Sequence, residues 1–329
     1  MRLLVTGAAG FIGSNYARLV LATTDHELVV LDALTYAGGR DTVATYEDDP
    51  RVTFIHGDIC DRDVALKAMD GCDVVVHFAA ESHVDRSVGR TGLLAPDEVG
   101  PDAFVRTNCL GTNVLCDVAR QVGVERLVHV STDEVYGSRA DGSFSEDDLL
   151  APSSPYSASK AGSDLIALGY HTSFGLPVVV TRAANNYGPF QFPEKVIPLF
   201  VTNLFDGLPV GVYGDGGNIR DWLYVDDHCR AVELVREHGQ PGQVYNVGGS
   251  AELSNLELTR RLVELVGAEE RLITFVEDRP GHDFRYSISL DRIRRLGYEP
   301  SITIDDGLER TVAWYRDNEW WWRPRKAAP

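Results

Sequence analysis

The chain has 329 residues, of which 44% are hydrophobic, and this is enough for a full core in one large domain or two smaller ones. The charged fraction of 24% and the aromatic fraction of 9% are typical of a folded enzyme and exclude a disordered chain. Lys and Arg total 31 against 49 for Asp and Glu, so the net charge of −18 disfavours nucleic acid and anionic membranes as partners.

The first half of the chain alternates between short apolar runs and helical patterns. Strands are predicted at Leu3–Val5, Leu28–Leu31, Val52–Ile55, Asp73–Phe78, Leu127–Val130 and Val178–Val180. Helices are predicted between them, for example at Phe11–Leu21, Val64–Met69 and Gly111–Val122. Short β-branched strands that alternate with helices form βαβ units. We therefore predict an α/β fold with a doubly wound parallel sheet, buried on both faces.

The composition changes from about Ala183, where prolines and glycines interrupt the regular patterns. We predict two domains, with residues 1–182 forming the first and residues 183–329 mainly a smaller C-terminal lobe. A helical pattern at Asp226–Glu237 is expected to return to the first domain. The segment Gly89–Asp102 is rich in Gly and Pro, which indicates an excursion on the surface.

The cysteines and the start of the chain indicate a protein of the cytoplasm. The five cysteines lack the spacing of a zinc site or a redox motif, which favours buried thiols in a reducing compartment. The sequence opens as a strand that runs into a glycine loop, so no signal peptide is predicted. No uncharged apolar run approaches the ~18 residues of a membrane span. We expect Trp320–Trp322 to form a packed terminus.

A glycine-rich loop links the first predicted strand to the first predicted helix. Gly7, Gly10 and Gly13 would let the backbone approach a pyrophosphate, which the helix N-terminus then binds. Asp32 ends the second strand, where a carboxylate accepts ribose hydroxyls and repels a 2′-phosphate, so NAD is favoured over NADP. Asp58 suits the adenine edge, although a loop or capping role is an open alternative. The first domain is therefore predicted to bind NAD.

Tyr156 and Lys160 are four residues apart, which makes their side chains neighbours on one helix face. A nearby ammonium and a positive nicotinamide ring would lower the pKa of the phenol. The pair is therefore predicted to take a proton from a sugar hydroxyl as a hydride leaves for NAD, while the lysine also holds the nicotinamide ribose.

Thr132, Asp133 and Glu134 follow the fifth predicted strand, at the edge where open α/β sheets place their sites. Thr132 could bind the reacting hydroxyl. Two adjacent carboxyl groups can act as acid and base if their environments separate their pKa values. A helix N-cap with a solvated charge is the alternative. His83 follows the fourth strand and is either a substrate contact or a polar loop residue.

The motifs together resemble those of the extended short-chain dehydrogenase/reductase superfamily, and within it the dTDP-glucose 4,6-dehydratases. The resemblance covers essentially the whole chain and rests on residues 78–85, 131–137, 154–161, 185–189, 194–198, 213–216, 220–222 and 279–283. The acid pair of Asp133 and Glu134 distinguishes the dehydratases from epimerases of the same scaffold. The chain departs from the family at Ala8, at Gly39 and in the longer segment Gly89–Asp102.

The resemblance implies a Rossmann fold with a C-terminal substrate-binding lobe, and a reaction. Tyr156 would deprotonate the C4 hydroxyl while hydride passes to NAD, Glu134 would remove the C5 proton, and Asp133 would protonate the departing C6 hydroxyl. Return of the hydride to C6 regenerates NAD, so water is lost without net oxidation. The product would be a 4-keto-6-deoxy sugar that enters deoxysugar biosynthesis, and the enzyme would be a hydro-lyase.

The resemblance also implies the remaining site residues and the assembly. The cofactor residues would be Gly7, Gly10, Phe11, Ile12, Gly13, Asp32, Leu34, Thr35, Asp58, Ile59, Phe78, Ala79, Ala80, Ser82, Tyr156 and Lys160. The substrate residues would be Ser82, His83, Thr132, Asn185, Lys195, Tyr213, Arg220, Asn255, Arg279 and His282. No metal is implied, and a homodimer is expected to pack through helices near residues 110–122 and 156–170.

Other functions remain open from the sequence. A dehydratase for UDP- or GDP-sugars, a 4-epimerase or a decarboxylase could share the scaffold, although Asp133 and Glu134 argue against the last two. A non-catalytic NAD- or sugar-binding regulator is a different class. The intact set of Tyr156, Lys160 and the acid pair argues against it, because such derivatives usually lose a catalytic group.

Overall fold

The computed structural model describes residues 1–89, 100–278 and 282–326. Its strands are β1 (Arg2–Thr6), β2 (Glu27–Asp32), β3 (Val52–His56), β4 (Val74–His77), β5 (Arg126–Thr132), β6 (Val178–Ala183), β7 (Asn185–Tyr187), β8 (Val210–Tyr213), β9 (Ile219–Tyr224), β10 (Val244–Val247), β11 (Glu252–Ser254) and β12 (Ile273–Val276). Its α-helices are α1 (Phe11–Thr23), α2 (Arg40–Val43), α3 (Arg62–Met69), α4 (Val84–Ser87), α5 (Pro101–Phe104), α6 (Thr112–Val122), α7 (Pro155–Phe174), α8 (Val196–Phe205), α9 (Val225–His238), α10 (Asn255–Val266), α11 (Asp291–Arg294), α12 (Ile304–Asp317) and α13 (Glu319–Trp322).

A parallel sheet of seven strands dominates the described residues, in the order β10-β6-β5-β4-β1-β2-β3. Alternate residues of one strand enter different hydrophobic cores, as in β1, where Leu3 and Val5 face one core and Leu4 the other. The sheet is therefore buried on both faces, and the predicted doubly wound α/β fold is confirmed. All six predicted strands belong to it, whereas β10 was not predicted.

The strand order reverses between β1 and β4, which makes a crevice at the carboxyl ends of these strands. After β1 the chain moves outward through β2 and β3, and after β4 it moves the other way through β5, β6 and β10. Gly7 follows β1, Phe78 follows β4, and Thr132 ends β5. The topology therefore brings the residues of the predicted site to one edge of the sheet.

The rest of the chain builds a second core beside this sheet. Strands β11, β9 and β7 form one small sheet and β12 pairs with β8. Helices α8, α10 and α12 pack over them, with Trp321 and Trp322 buried in the same core. Two later elements join the large sheet, because β10 pairs with β6 and α9 packs against α1, β5 and β6.

The C-terminal tryptophans form a packed terminus. Trp321 Nε1 donates a hydrogen bond to Thr42 Oγ1 at 2.9 Å, and Arg325 pairs with Asp41. The C-terminal segment thus also contacts helix α2, which is not part of the core that holds Trp321 and Trp322. Trp320 is 53% exposed and is not part of this packing.

A π-helical stretch, Val105–Gly111, precedes α6 and lengthens the helix predicted from Gly111. Within the predicted surface excursion, residues 90–99 lie outside the described residues. Among the helices that the structure describes, none is both long and apolar enough to cross a membrane.

A buried ion pair joins helix α7 to the sheet. Arg182 Nε on β6 lies 2.9 Å from Asp164 Oδ2 on α7, and His129 Nε2 on β5 lies 3.3 Å from Asp164 Oδ1. Burial alone would raise the pKa of Asp164, but the His129 and Arg182 side chains together hold it below its usual value. The ionised carboxylate therefore stabilises the folded state above the pKa of an unfolded aspartate, and this stabilisation is lost as the pH falls.

Replacing Asp164 by Asn should destabilise the fold by about 3–5 kcal/mol, because Arg182 would stay buried without its counter-charge. Urea unfolding followed by circular dichroism measures the loss. Glu319→Gln is the matched control, since it removes the exposed pair of Glu319 with Arg323, whose contribution to stability should be small. Equal effects of the two variants would contradict the importance of the buried pair.

Candidate active site

A cleft of about 350 Å³ opens where the strand order of the large sheet reverses, at the carboxyl ends of β1 and β4. Among the predicted cofactor residues, all but Leu34 line it: Gly7, Gly10, Phe11, Ile12, Gly13, Asp32, Thr35, Asp58, Ile59, Phe78, Ala79, Ala80, Ser82, Tyr156 and Lys160. Thr132, Asp133 and Glu134 line the same cleft. The structure thus brings the glycine loop, the acid pair and the Tyr–Lys pair together.

The glycine loop holds its backbone close to neighbouring chain. Gly7 has a φ of +76°, and a Cβ there would lie 2.6 Å from the nitrogen of Ala79. A Cβ on Gly13 would lie 2.4 Å from the oxygen of Gly7. Helix α1 begins after Gly10 without a side-chain cap, and its first residues, Phe11, Ile12 and Gly13, line the cleft. This arrangement fits a pyrophosphate.

The two predicted cofactor carboxylates are held by backbone groups. Asp32 accepts hydrogen bonds from the N–H groups of Ala9 and Leu34 at 2.9 and 2.8 Å, and burial raises its pKa. Asp58 accepts from the N–H of Cys60 at 2.8 Å and pairs with Arg106 at 3.0 Å. Both carboxylates line the cleft, so the residues present fit a dinucleotide with its adenosine end near Asp32.

The acid pair sits where β5 turns into a short 3₁₀ helix. Thr132 caps that helix, since its Oγ1 accepts a hydrogen bond from the N–H of Glu134 at 3.3 Å. Asp133 is 2% exposed, and its Oδ2 has no hydrogen-bond partner within the described chain. Burial and the neighbouring Glu134 raise the pKa of Asp133 well above its usual value, although Arg220 opposes this. A protonated Asp133 can serve as an acid at neutral pH.

Tyr156 and Lys160 lie in the first turns of α7, which starts with a Ser154–Ser157 capping box. The Lys160 ammonium donates to the oxygen of Val130 at 2.9 Å, and burial lowers its pKa to about 8. Burial and the two carboxyl groups of the acid pair raise the pKa of Tyr156. The expected lowering of this pKa, by the Lys160 ammonium together with a positive nicotinamide ring, stays a prediction for the complex with NAD.

The predicted substrate residues divide into two sets. Ser82, Thr132, Asn185 and Lys195 line the cleft. His83, Tyr213, Arg220, Asn255 and His282 do not line it, and Arg279 lies outside the described residues. Within the second set, the rings of Tyr213 and His282 meet edge to face at 5.9 Å.

Arg220 is 5% exposed and belongs to this second set. Its guanidinium donates to the backbone oxygens of Ile219 and Asp283 at 2.7 and 2.9 Å. It also stacks over the Tyr286 ring, at 4.3 Å from the ring centre. Since Arg220 lowers the pKa of Asp133, its charge reaches the acid pair.

Several lining residues were missed from the sequence. Tyr36 donates to Glu194 Oε1 at 2.7 Å, and the Arg86 guanidinium stacks 3.6 Å from the Tyr36 ring centre. Arg86 also pairs with the buried Glu81 at 2.9 Å. These side chains link the loop after β2 to the loop before α8 across the cleft. Tyr36 and Glu194 both stand in family-like motifs, which could have indicated them.

Comparison with known proteins places the chain in a family. A family model described as GDP-mannose 4,6-dehydratase matches residues 4–311. A dTDP-glucose 4,6-dehydratase of Streptomyces antibioticus is 53% identical, with 100% of this chain and 96% of the relative covered. One of Escherichia coli is 42% identical over 98% of this chain and 94% of its own length.

Solved structures agree with these sequence matches. The dTDP-glucose 4,6-dehydratase DesIV of Streptomyces venezuelae, solved with NAD bound, superposes with a TM-score of 0.94 at 52% identity, covering 99% of this chain and 100% of that one. A UDP-glucose 4-epimerase of Thermus thermophilus, in complex with NAD, gives 0.87 at 32% identity over 97% and 100%. The resemblance inferred from the motifs is confirmed. The chain belongs to the GDP-mannose 4,6-dehydratase family and, within it, groups with the dTDP-glucose 4,6-dehydratases.

Proposed function

We propose that the chain binds NAD and removes water from dTDP-glucose, forming dTDP-4-keto-6-deoxyglucose for deoxysugar biosynthesis. The observation that carries this proposal is the buried Asp133, next to Glu134, in the same cleft as Tyr156. A carboxylic acid kept protonated by burial suits the loss of a hydroxyl group as water. The relatives named dTDP-glucose 4,6-dehydratase support the choice of substrate.

NAD would lie with its pyrophosphate on the N-terminus of α1 and its adenosine ribose at Asp32, while Lys160 would hold the nicotinamide ribose. The other cofactor contacts would come from the lining residues Thr35, Asp58, Ile59, Phe78, Ala79, Ala80 and Ser82. When bound, NAD takes a hydride from the sugar and returns it, so the reaction has no net oxidation.

The chain's own groups would move the protons. Tyr156 would take the proton of the C4 hydroxyl, which Thr132 would orient. The ketone formed at C4 makes the C5 proton acidic, and Glu134 would remove it. Asp133 would then donate its proton to the C6 hydroxyl as it leaves. Because burial favours the neutral form of Asp133, this acid starts the cycle with its proton in place. Tyr156 must be a phenolate to accept the C4 proton, and the positive nicotinamide ring of bound NAD would favour that form against the raised pKa.

The diphosphate needs positive charge on an otherwise acidic protein. Lys195 lines the cleft, and we assign it to the diphosphate together with Asn185. Arg220, Asn255, Tyr213, His282, Arg279 and His83 would meet the nucleoside and outer phosphate beyond the lining of this cleft. Residues 1–182, with α9 and β10, would form the NAD-binding domain, and most of residues 183–329 the nucleotide-sugar lobe.

We also propose a homodimer in the cytoplasm. The π-helical stretch before α6 and helix α7 both expose apolar side chains, since Leu110 is 46% and Leu165 61% exposed. A pair of such faces from two copies would remove these side chains from water. The described cysteines carry no disulfide, which fits a reducing compartment.

The product mass tests the proposed reaction. Incubation of the purified protein with dTDP-glucose should give a product lighter by one water, with no net change in nicotinamide absorbance. UDP-glucose and GDP-mannose, tested in parallel, should react more slowly. An unchanged mass with bound dTDP-glucose would favour a 4-epimerase, and conversion of UDP- or GDP-sugar alone would move the assignment to another dehydratase. Absence of sugar binding would favour the regulator.

Glu134→Gln should slow water loss by about 10²–10⁴-fold, because an amide cannot accept the C5 proton. Sugar oxidised at C4, lighter than the substrate by two hydrogens, should then accumulate in rapid-quench mass spectra. Tyr156→Phe should prevent even this oxidised sugar from forming. Full turnover by Glu134→Gln would show that Glu134 is not the C5 base.

The buried acid predicts a pH dependence. Since the pKa of Asp133 is raised, elimination should stay fast at neutral pH and decline on the alkaline side, as Asp133 loses its proton. Single-turnover rates of elimination between pH 6 and 10 measure this limb. In Asp133→Asn the rate should be low and flat across the range. If the alkaline decline in the elimination rate persisted in Asp133→Asn, a group other than Asp133 would be responsible for it.

A further inference from the structure

Several side chains in the cleft wall have buried polar atoms that bond to nothing in the described chain, and two of these atoms belong to side chains held by Asn186. They are Nε2 of His228 on α9 and Oε1 of Gln191, in the loop after β7. His228 is fully buried and Gln191 is 7% exposed. Leaving such atoms unpaired costs free energy, so a ligand or water that pairs with them is expected. Neither residue belongs to the site predicted from the sequence.

The surrounding hydrogen bonds define the chemical character of His228 Nε2. Asn186 donates from Nδ2 to the oxygen of Ala184 at 2.9 Å, so its Oδ1 faces His228 Nδ1 at 2.8 Å. Nδ1 must therefore carry the proton, and Nε2 is left as an acceptor. Burial lowers the pKa of His228 to about 3, so the ring stays neutral throughout the physiological range.

Gln191 is fixed in the same way. Its Nε2 donates to the backbone oxygen of Asn186 at 2.8 Å, which leaves Oε1 as an acceptor. Both side chains are thus anchored on Asn186, and both present acceptors to the cleft. A group that donates hydrogen bonds is complementary to this pair, whereas a phosphate or carboxylate oxygen would be repelled.

The position of His228 and Gln191 indicates which ligand group donates hydrogen bonds to them. Next to His228, Cys229 Sγ contacts the oxygen of Ile12 at 3.7 Å, and Asn15 donates to the oxygen of Pro189 at 3.0 Å. The pair therefore lies by α1 and the carboxyl end of β6. Pyrophosphate carries no proton to donate. The two riboses are assigned to Asp32 and Lys160 and the adenine edge to Asp58, so the carboxamide is the donor of NAD that still lacks an acceptor.

We propose that His228 and Gln191 recognise the amide N–H group of the nicotinamide carboxamide and thereby select the amide over the acid form of the cofactor. This inference rests on the proposed binding of NAD. An acceptor pair that orients the carboxamide would also fix the rotation of the ring to which it is attached.

Cofactor binding tests the inference without turnover. The full chain, stripped of nucleotide, would be titrated by calorimetry with NAD and with nicotinic acid adenine dinucleotide, which has a carboxylate in place of the amide. The native chain should prefer NAD by at least about tenfold. In His228→Leu this preference should fall about fivefold or more, mainly through weaker NAD binding. Gln191→Met, close in shape, is a second variant should the first fail to fold.

His238→Leu is the control, because it makes the same change at an exposed position of α9. It should leave the preference unaltered. The inference would be overturned if both cleft variants kept the native preference for NAD. It would also be overturned if they changed only how much more tightly dTDP-glucose binds than dTDP and left the cofactor preference as it was. Failure of the proposed function would give a different result from failure of the inference. The native chain would then leave dTDP-glucose intact, whatever its preference between the two cofactors.

Discussion

The buried contact of Asp164 with Arg182 and His129 holds the catalytic helix against the sheet. Helix α7 carries Tyr156 and Lys160, while His129 belongs to β5, which ends at the acid pair. A carboxylate that hydrogen-bonds to Arg182 on β6 and contacts His129 on β5 therefore helps to fix the distance between the phenol and the two carboxyl groups. All three charged or polar partners are almost completely buried, so the contact is poorly screened by solvent. The geometry of the site depends on this contact although none of its members lines the cleft.

Burial also determines which groups in the cleft tend to carry a proton. It raises the pKa values of Asp133 and Tyr156 and lowers that of Lys160, in each case favouring the neutral form. In the proposed reaction Asp133 thus keeps the proton that it would donate, whereas Tyr156 would need the positive charge of bound NAD before it could accept one. Lys195 lines the cleft and is the cation that we propose for an anionic substrate, on a chain whose net charge is −18.

Much of the fold could be predicted from local sequence. Each strand up to β6 is an apolar, β-branched run, and the order of the motifs along the chain brings Gly7, Asp32, Thr132 and Tyr156 to one sheet edge. Strand β10 could not be predicted, because four residues after a Gly- and Pro-rich turn carry no signal of a partner 64 residues earlier in the chain.

The side-chain contacts of the cleft were harder to predict than its location. The link from Tyr36 to Glu194 and the turn of Lys160 toward Val130 depend on packing between distant segments. The acceptor character of His228 depends on how Asn186 is oriented by Ala184, which no spacing in the sequence encodes. Residue types thus indicate chemistry, while tautomers and pKa values follow only from the folded environment.

In the proposed reaction, one cleft oxidises C4 and reduces C6 of the same sugar. The most direct measurement uses dTDP-glucose with deuterium at C4, followed by NMR of the 4-keto-6-deoxy product. The account predicts that the deuterium appears in the C6 methyl group of the product, because the hydride stays in the cleft between its two transfers. Loss of the deuterium to solvent, or its retention at C4, would contradict it.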